Sequence, residues 1–334
     1  MKQSSRAFIT GATGFVGANV ARALVHDGWR LRALVRAGSD TRNLDGLDAE
    51  IVTGDLTDAD LATKLQDCEA LFHVAAHYSL RRADRASVVR SNVEGTRNVL
   101  AAARAAGVKR TVYTSSVSAI GVRHGGIADE TYQAPFDSMI GTYKRSKFLA
   151  EQEARAARAA GQDLVIVNPS TPLGAWDRKP TPTGEILVRF LSGRMPAVVE
   201  TGLNFVNVDD VARGHLLAYE AGHSGERYIL GGENLTLRSL LERVGALVGR
   251  RAPRLTLPHW LPLGAAFVEE RVLAPLGRRS ATLAVEGVRM SRDAMYYDTS
   301  KAERDLGYRH GPLEEGIASA IEWFAKNGYL SMRR

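Results

Sequence analysis

Cysteine is almost missing from this chain of 334 residues, because Cys68 is the only one. A single thiol cannot form an intrachain disulfide, and it cannot build a cysteine-ligated metal site. We therefore expect no metal site, and we expect a protein of a reducing compartment, the cytoplasm.

Long apolar runs are also missing. Away from the N-terminus the longest is Leu255–Val268, which has 14 residues, contains two prolines and a histidine, and is followed by charged residues. Because a spanning helix needs about 20 uninterrupted apolar residues, we predict no transmembrane segment. The N-terminal segment is short and polar, and the apolar stretch after it is interrupted by glycines. It therefore does not resemble a secretory signal. Leu255–Val268 then either packs inside a smaller domain or makes peripheral contact with the inner face of a membrane.

The basic residues form no long run. Lysine and arginine number 44 against 37 acidic residues, and the resulting formal net charge of +7 is spread along the chain. Proteins that bind nucleic acid concentrate such charge in a patch or a stripe, so we expect no nucleic-acid partner. Part of the surplus instead suits a site for an anionic ligand. The length favours about two domains.

The first half of the chain alternates strand-like and helical patterns. The strand-like runs are 6–10, 30–36, 49–55, 70–76, 109–116 and 163–170, and the clearest helical runs are 16–26, 84–106 and 138–160. Short buried strands separated by helices are typical of βαβ units, so the pattern predicts an α/β fold with a doubly wound parallel sheet. For the helix over 138–160 we expect Asp137 or Ser138 as the N-cap and Gly161 as the stop.

A glycine-rich turn with the sequence TGATGFVG, residues 10–17, joins the first predicted strand to the first predicted helix. Gly11 permits the tight turn, Gly14 lets the backbone approach a pyrophosphate, and Gly17 lets the helix pack closely on the strand. The N-terminus of the helix then offers amide donors and a positive dipole end to phosphate. The turn therefore predicts dinucleotide binding. The other residues of the turn that we expect at the cofactor are Thr13, Phe15 and Val16.

The end of the second predicted strand helps to choose the dinucleotide. An NAD site usually carries an acid about 20 residues beyond the glycines, to accept from the ribose 2′-hydroxyl, but here the first acid is Asp40. Arg36 instead offers a guanidinium that can bind a 2′-phosphate through parallel hydrogen bonds, unless it is one more solvent-exposed arginine. We therefore favour NADP(H), with NAD(H) left open. At the end of the third strand, Asp55 and Leu56 either meet the adenine or form an ordinary turn.

A tyrosine and a lysine stand four residues apart in YKRSK, at Tyr143 and Lys147. On a helix this spacing places both on one face, where the ammonium lowers the pKa of a phenol that ordinarily titrates near 10. Ser116 closes the fifth strand, at the carboxyl edge where open α/β sheets bind ligands. The three residues predict a site at which Tyr143 moves a proton to or from a substrate oxygen that Ser116 also binds.

Polar residues after the fourth, fifth and sixth strands lie at the same edge of the predicted sheet and could orient a hydroxylated substrate. These substrate candidates are Tyr78, Arg81, Ser118, Asn168, Thr171 and Lys179. Packing against the cofactor is the alternative for Tyr78 and Thr171, and a solvated loop is the alternative for Arg81 and Lys179. We expect Asn92 to hold backbone or a water near the site.

The regular alternation ends near residue 170, where proline and glycine become frequent and helical patterns dominate. We predict a dinucleotide-binding domain over 1–170, with later returns of the chain near 203–232. Residues 171–334 are expected to form mainly a smaller, mostly helical substrate-binding lobe.

Together these strings resemble those of the extended short-chain dehydrogenase/reductases. The resemblance rests on TGATGFVG (10–17), Asp-Leu (55–56), HVAA (73–76), NVEGT (92–96), YTSS (113–116), YKRSK (143–147) and NPS (168–170). Within that superfamily the chain resembles the dihydroflavonol-reductase-like group. More narrowly it resembles the bacterial hopanoid-associated sugar epimerases, which are NAD-dependent epimerase/dehydratases. The narrow resemblance rests on YKRSKFLAE (143–151), NPSTPLG (168–174), KPTPTG (179–184), TGLNFVNVDDVARGHLLA (201–218) and GERYILGGENLTL (225–237).

The resemblance implies a Rossmann domain, a bound nicotinamide nucleotide and a Ser–Tyr–Lys catalytic site. By position in this sequence the catalytic residues are Ser116, Tyr143 and Lys147. It also implies that residues at the strand ends line the cofactor. These residues are Ala75, Ala76, Ser115, Pro169 and Ser170.

Three functions fit these observations. The first is an NADPH-dependent ketoreductase acting on a hydroxylated or lipid-linked substrate. The second is a sugar epimerase or dehydratase linked to hopanoid lipid synthesis, which regenerates its cofactor in each turnover; such enzymes usually carry an acid where this chain has Arg36. The third is a dinucleotide-sensing regulator without chemistry, which has no need of Ser116, Tyr143 and Lys147 together. The expected partner is a small-molecule or lipid-linked substrate, and a homodimer is left open.

Overall fold

The structure is a computed structural model that describes residues 5–79, 82–268, 288–289 and 291–330. The strands are β1 (Arg6–Thr10), β2 (Arg30–Val35), β3 (Ala49–Thr53), β4 (Ala70–His73), β5 (Arg110–Thr114), β6 (Ile127–Ala128), β7 (Leu164–Pro169), β8 (Thr171–Leu173), β9 (Ala197–Val199), β10 (Gly202–Asn207), β11 (Arg227–Leu230), β12 (Glu233–Thr236), β13 (Leu255–Leu257) and β14 (Tyr296–Tyr297). The α-helices are α1 (Phe15–His26), α2 (Leu61–Lys64), α3 (Arg85–Val89), α4 (Gly95–Ala105), α5 (Val117–Ile120), α6 (Thr142–Ala159), α7 (Pro182–Leu191), α8 (Val208–Ala221), α9 (Leu237–Val248), α10 (Trp260–Val268), α11 (Ser300–Leu306) and α12 (Leu313–Lys326).

Seven of these strands form one parallel sheet in the order β3-β2-β1-β4-β5-β7-β11. The chain runs outward from β1 to β3 and then returns to place β4 on the other side of β1. In open α/β sheets, ligands bind outside the carboxyl ends of the strands at such a switch point. The sheet confirms the predicted α/β doubly wound fold. Its switch point lies at Thr10 and His73, where β1 and β4 end.

Helices cover both faces of the sheet, which explains why strands such as β1, β4 and β7 are buried along nearly their whole length. Alternate residues of β1 belong to two separate cores, with Ile9 in one and Phe8 in the other. The first core includes Leu24 of α1 and Val211 of α8. The second includes Ala154 of α6, so packing on the sheet fixes this helix beside the end of β5.

The residues after β7 build a further core, in which α7, α9 and α12 contribute Phe190, Val244 and Ile317. Two small sheets accompany these helices, with the strand orders β12-β10-β8 and β13-β9. The prediction for this part was mostly helical and named no such strands, because a strand of three residues such as Thr171–Leu173 is too short to show an alternating pattern. β11 returns to the main sheet, where it pairs with β7.

The helix predicted over 138–160 is α6, and its start differs from the prediction. The N-cap is Gly141, with φ +88°, and residues 136–138 form a separate 3₁₀ turn. The expected N-cap at Asp137 or Ser138 is therefore wrong. The left-handed backbone that glycine allows at residue 141 breaks the helix before it can extend to those residues.

The end of α6 agrees with the prediction. Gly161 adopts φ +95°, and its N–H donates to the carbonyl oxygen of Arg158. The N–H of Gln162 donates to the carbonyl oxygen of Ala157. This pair of bonds is the Schellman arrangement in which glycine stops a helix.

The helix predicted over 84–106 is interrupted. α3 is followed by a π-helical turn over 90–94 and then by α4. Such π turns recur at functional sites, and this one contains Asn92. Five of the predicted strands also end one to three residues early, since residues 36, 54–55, 74–76, 115–116 and 170 belong to the loops at the carboxyl edge, whereas β1 ends at Thr10 as predicted.

In the described part of the chain, no helix is long and apolar enough to cross a membrane. The apolar run Leu255–Val268 contains β13 and α10. Trp260 and Leu261 are 69% and 41% exposed, so the interpretation of the run as wholly packed inside a lobe is wrong at these two residues.

Candidate active site

The glycine-rich turn is held in a shape that two of its glycines make possible. Gly11 has φ +77°, and a Cβ on it would lie 2.6 Å from backbone atoms of Ala75. A Cβ on Gly17 would lie 2.1 Å from the Gly11 carbonyl oxygen. Both contacts are impossible for real atoms, so these glycines let the turn, the start of α1 and the end of β4 pack together.

Gly14 has a different environment, because the protein itself leaves room at this residue. A Cβ there would meet only the Gly11 carbonyl oxygen, at 3.3 Å, and Gly14 is exposed. It is the N-cap of α1, a helix with no side-chain cap and no acidic residue in its first turn. The first N–H groups of α1 therefore face outward beside open backbone, an arrangement that fits a pyrophosphate.

The carboxyl end of β2 carries the residue that sequence reasoning associated with a 2′-phosphate. Arg36 follows Val35 directly and is exposed. The first acid after it, Asp40, lies 2.6 Å from Arg42 Nη2 and 3.5 Å from Arg178 Nε. Hydrogen bonds from Arg42 hold the pKa of the Asp40 carboxyl well below its usual range. The acid nearest to Arg36 along the chain is thus already engaged with arginines.

Asp55 follows the end of β3 and caps a local turn. Its Oδ1 accepts hydrogen bonds from the N–H and the hydroxyl of Thr57, at 3.1 and 2.8 Å. Leu56 is buried and would be 2.9 Å from a Cβ on Gly95. Asp55 thus forms the ordinary turn that was one of its two predicted roles. A contact of Asp55 and Leu56 with adenine stays a prediction.

The remaining cofactor candidates lie at the carboxyl edge, where Pro169 is the last residue of β7 and the others follow β4, β5 and β7. Ala76 is exposed and Ala75 half-buried, whereas Ser115 and Pro169 are buried. The hydroxyl of Ser170 is buried without a hydrogen-bond partner among the described residues.

Ser116 and Tyr143 meet at the end of β5. Ser116 is the N-cap of α5, and its Oγ accepts a hydrogen bond of 3.1 Å from the N–H of Ser118. Tyr143 is half-buried in the first turn of α6. The expected lowering of the Tyr143 pKa by Lys147 is wrong: burial raises this pKa to about 12, and the interaction that acts to lower it is a side-chain hydrogen bond with Ser116. Tyr143 is thus a neutral phenol at physiological pH, able to donate a proton.

Lys147 lies one helical turn after Tyr143 and is only 2% exposed. Its ammonium donates to the carbonyl oxygen of Thr114 at 2.8 Å and to the hydroxyl of Tyr113 at 3.4 Å. Burial lowers the pKa of Lys147 to about 8, while the charge of Glu151 acts to raise it. The structure therefore brings the predicted Ser116, Tyr143 and Lys147 to the carboxyl end of β5.

A buried polar network underlies these residues, and sequence reasoning found only part of it. Asn168 was predicted to touch substrate, but its side chain is fully buried and donates to the Ser116 carbonyl oxygen at 2.9 Å and to Glu151 at 3.0 Å. Glu151 also accepts from Ser115 at 2.7 Å and from Arg227 at 3.0 Å. Sequence reasoning missed Glu151, although its spacing of four residues from Lys147 could have pointed to it. Arg227 is distant in sequence, and no local pattern could have pointed to it.

Asn92 in the π-helical turn holds the loop after β4. Its Oδ1 accepts from the His77 N–H at 2.6 Å, and its Nδ2 donates to the His77 carbonyl oxygen at 3.0 Å. Nδ2 also lies 2.9 Å from the hydroxyl of Ser146 on α6. Asn92 thus holds backbone near Tyr143, as we expected, and Ser146 is an addition that the sequence did not suggest.

The other substrate candidates differ in their distance from this centre. The ring of Tyr78 packs edge-on against that of Tyr143, with 4.6 Å between centroids. Thr171 is half-buried at the start of β8, and Lys179 is exposed between β8 and α7. Arg81 lies outside the described residues.

Comparison with known proteins places the chain in a family. Residues 7–231 match the NAD dependent epimerase/dehydratase family. The chain belongs to this family, whose extended short-chain dehydrogenase/reductase fold is the one described above.

Similar proteins span almost the whole chain. A putative dihydroflavonol 4-reductase of Synechocystis sp. is 55% identical over 97% of this chain and 95% of that protein. The sterol demethylase protein B of Methylococcus capsulatus is 37% identical over 96% of this chain and 99% of that protein. A 4-hydroxy-2-methyl-3-oxo-4-farnesyl-3,4-dihydroquinoline-1-oxide ketoreductase of Stigmatella aurantiaca is 33% identical over 91% of each chain. Among solved structures, gox2253 is 45% identical and superposes with a TM-score of 0.87, over 98% of this chain and 100% of that one.

Proposed function

We propose that this protein is an NADPH-dependent ketoreductase that converts a ketone into an alcohol. The observation that carries the proposal is the position of Tyr143, a neutral phenol that meets Ser116 at the end of β5 and lies one turn before the buried Lys147. A neutral phenol in this place is ready to give a proton to an oxygen. Relatives named as reductases support the same direction of reaction.

The residues that would hold the cofactor surround the switch point of the sheet. Gly14 and the uncapped start of α1 suit its pyrophosphate, and the exposed guanidinium of Arg36 suits a 2′-phosphate. The Ser170 hydroxyl has no partner among the described residues and supports a polar contact there. The division of the chain at about residue 170 into a cofactor domain and a substrate lobe belongs to the same proposal.

Three side chains would share the proton chemistry. The glycine turn and Arg36 would hold NADPH, which when bound would supply the hydride that the carbonyl carbon accepts. The Ser116 hydroxyl donates a hydrogen bond to the carbonyl oxygen, and Tyr143 gives that oxygen its proton. The phenolate that remains on Tyr143 is stabilised by the Lys147 ammonium, and solvent later restores the proton.

The substrate in this proposal is a hydroxylated or lipid-linked ketone. Two relatives support it by their names, one being a sterol demethylase protein and the other a reductase of a farnesyl-bearing ketone. The exposed Trp260 and Leu261 support contact of α10 with an apolar tail or a membrane surface. Tyr78 lies against Tyr143 and is our first candidate for contact with the substrate.

A sugar epimerase or dehydratase linked to hopanoid lipids is the second candidate, and the family match itself favours it. In that reaction the cofactor returns to its starting state in every turnover. Arg36 weighs against it, because the resemblance leads us to expect an acid at this place. The presence of Ser116, Tyr143 and Lys147 at one strand end weighs against a regulator without chemistry.

Cofactor stoichiometry separates these functions. Purified protein is mixed with NADPH or NADH and a panel of sterol, isoprenoid and polyhydroxylated ketones, and cofactor and product are both quantified. We expect one alcohol for each NADPH consumed, with NADPH bound more tightly than NADH. Conversion of substrate without net cofactor change would instead establish epimerisation. Equal affinity for the two cofactors would contradict the role of Arg36, and no binding of either would contradict that of the glycine turn.

A further inference from the structure

Glu151 is the most completely surrounded charged group near the site. It lies on α6 one turn after Lys147 and is 1% exposed. Its Oε2 accepts from Ser115 Oγ at 2.7 Å and from Asn168 Nδ2 at 3.0 Å. Its Oε1 accepts from Arg227 Nη1 at 3.0 Å and from Arg155 Nη2 at 2.9 Å. Four donors from β7, β11, the end of β5 and α6 itself therefore fix one buried carboxylate.

These donors keep the carboxylate ionised although it is buried. Burial by itself raises the pKa of Glu151, but the charge of Arg227 and the hydrogen bonds from Ser115 and Asn168 outweigh it and leave the pKa below its ordinary value. A buried carboxylate without such partners would take up a proton.

The contacts of Glu151 determine where Ser116 lies. Ser115 is bound to Glu151 directly through its hydroxyl. Asn168 bonds both Glu151 and the carbonyl oxygen of Ser116, so the amide links the carboxylate to the second serine. Ser115 is thus anchored to the buried Glu151 through its hydroxyl, and Ser116 through its carbonyl oxygen by way of Asn168.

The charge of Glu151 also acts on Lys147. The titratable groups around Lys147 are Tyr113 on β5, His73 on β4, and Tyr143 and Glu151 on its own helix. Burial lowers the pKa of His73 to about 3, so this histidine is neutral, and burial keeps both tyrosines neutral. Glu151 is therefore the anion in this group, and its removal leaves the Lys147 ammonium without a compensating negative charge.

We propose that Glu151 is a positioning residue that anchors the Ser115–Ser116 segment and supplies the negative charge one helical turn from the buried ammonium of Lys147. The catalytic meaning of this inference rests on the proposed reductase function. The effect on the ionisation of Lys147 does not, because it concerns the free protein.

The first test is a titration without substrate or cofactor. In protein labelled with ¹³C-lysine, the Cε resonance of Lys147 is assigned with the variant Lys147→Arg and followed from pH 5 to pH 11. In Glu151→Gln we expect the pKa of Lys147 to fall by about one pH unit. The matched control is Glu153→Gln, which removes a carboxylate of the same helix that is bound to exposed Arg97 at 2.9 and 2.7 Å. An unchanged titration in Glu151→Gln, or an equal shift in the control, would overturn the proposal.

The loss of Glu151 alone removes the carboxylate that pairs with the buried Arg227 guanidinium, which can destabilise the fold. The double variant Glu151→Gln/Arg227→Met removes both charges of this pair, and circular dichroism checks its fold. We expect the pKa of Lys147 to fall in this variant too, but by less than in Glu151→Gln, because the loss of the Arg227 positive charge acts to raise it. A wild-type titration in the folded double variant would count against the proposal.

The second test measures the pH dependence of the reaction rate. For a ketone that the wild type reduces, the alkaline limb of kcat/KM should move to lower pH in Glu151→Gln by the same amount as the Lys147 titration, and it should stay in place in Glu153→Gln. A lower rate with an unmoved limb would mean that Glu151 is only structural. If the wild type reduces no ketone, the proposed function fails, while the titration still decides the inference about Glu151.

Discussion

The ammonium of Lys147 lies 2.8 Å from the carbonyl oxygen of Thr114, the last residue of β5. This contact joins the second turn of α6 to β5, the strand that is followed by Ser115 and Ser116. A lysine at the same helical position but with its ammonium in solvent could not bind this carbonyl oxygen. The hydrogen bond also stabilises the buried ammonium, because burial by itself disfavours the charged form of Lys147.

The pH dependence of reduction should report Lys147. Its pKa of about 8 means that the ammonium is present below this pH and is lost above it, while Tyr143, with a pKa of about 12, stays protonated. We therefore expect kcat/KM for ketone reduction to be constant near neutral pH and to fall about tenfold per pH unit above pH 8. In Lys147→Arg the remaining activity should lack this limb, because a guanidinium stays charged. A limb at the same pH in both proteins would assign it to another group.

The two kinds of glycine in the turn should respond differently to alanine. Gly11→Ala meets backbone at 2.6 Å and a positive φ, so we expect it to lower the free energy of unfolding by more than about 1 kcal/mol. Gly14→Ala meets a single atom at 3.3 Å and should leave stability nearly unchanged while it blocks binding of NADPH. Thermal unfolding and fluorescence titration with NADPH measure the two effects. Cofactor binding at wild-type affinity by Gly14→Ala would contradict the place given to the pyrophosphate.

Arg36 should determine the choice between the two cofactors. In Arg36→Gln we expect the Kd of NADPH to rise about tenfold or more, the value of one lost charge-assisted contact, while the Kd of NADH stays within about a factor of two. Arg30→Gln is the matched control, because Arg30 is an exposed arginine at the opposite end of the same strand. Isothermal titration of all three proteins with both cofactors gives the comparison, and equal losses for NADPH and NADH would argue against a 2′-phosphate contact.

Lys144, the neighbour of Tyr143, should lower the free energy of unfolding at neutral pH. It is 6% exposed, its ammonium contacts the sulfur of Met295 at 3.5 Å, and burial lowers its pKa to about 8. A group with a lowered pKa binds fewer protons in the folded state, so the folded protein gains stability as the pH rises from 8 toward the unfolded value of Lys. We expect Lys144→Met to be more stable than the wild type by about 1–3 kcal/mol at pH 7. This advantage should shrink toward pH 10 in denaturant unfolding, and a constant difference from pH 7 to pH 10 would exclude the ionisation of Lys144 as its cause.

Local sequence patterns predicted the parts of the molecule that depend on local physics. The glycines of residues 10–17 and the pair Tyr143 and Lys147 could be placed because strand, turn and helix have fixed periods and conformational demands. The parallel sheet followed from the alternation of strand and helix. The true start of α6 was missed because it depends on the backbone of Gly141 rather than on a capping side chain.

The parts that depend on distant contacts could not be predicted in this way. Asn168 was expected to face substrate because it ends a strand, but the fold turns its amide inward to Ser116 and Glu151. Arg227 reaches the same carboxylate from β11, 76 residues along the chain. Such pairings arise from the order of strands in the sheet, which no local period encodes.

In the proposed NADPH-dependent reduction, Tyr143 gives the proton to the substrate oxygen. The most direct measurement is the amount of alcohol formed and NADPH consumed by the wild type, by Tyr143→Phe, and by the control Tyr219→Phe, in which the same hydroxyl is removed from α8. The proposal predicts equal amounts of alcohol and NADP⁺ from the wild type and the control, and a rate at least about a hundredfold lower in Tyr143→Phe with cofactor binding retained. Undiminished reduction by Tyr143→Phe, or substrate conversion without consumption of NADPH, would contradict it.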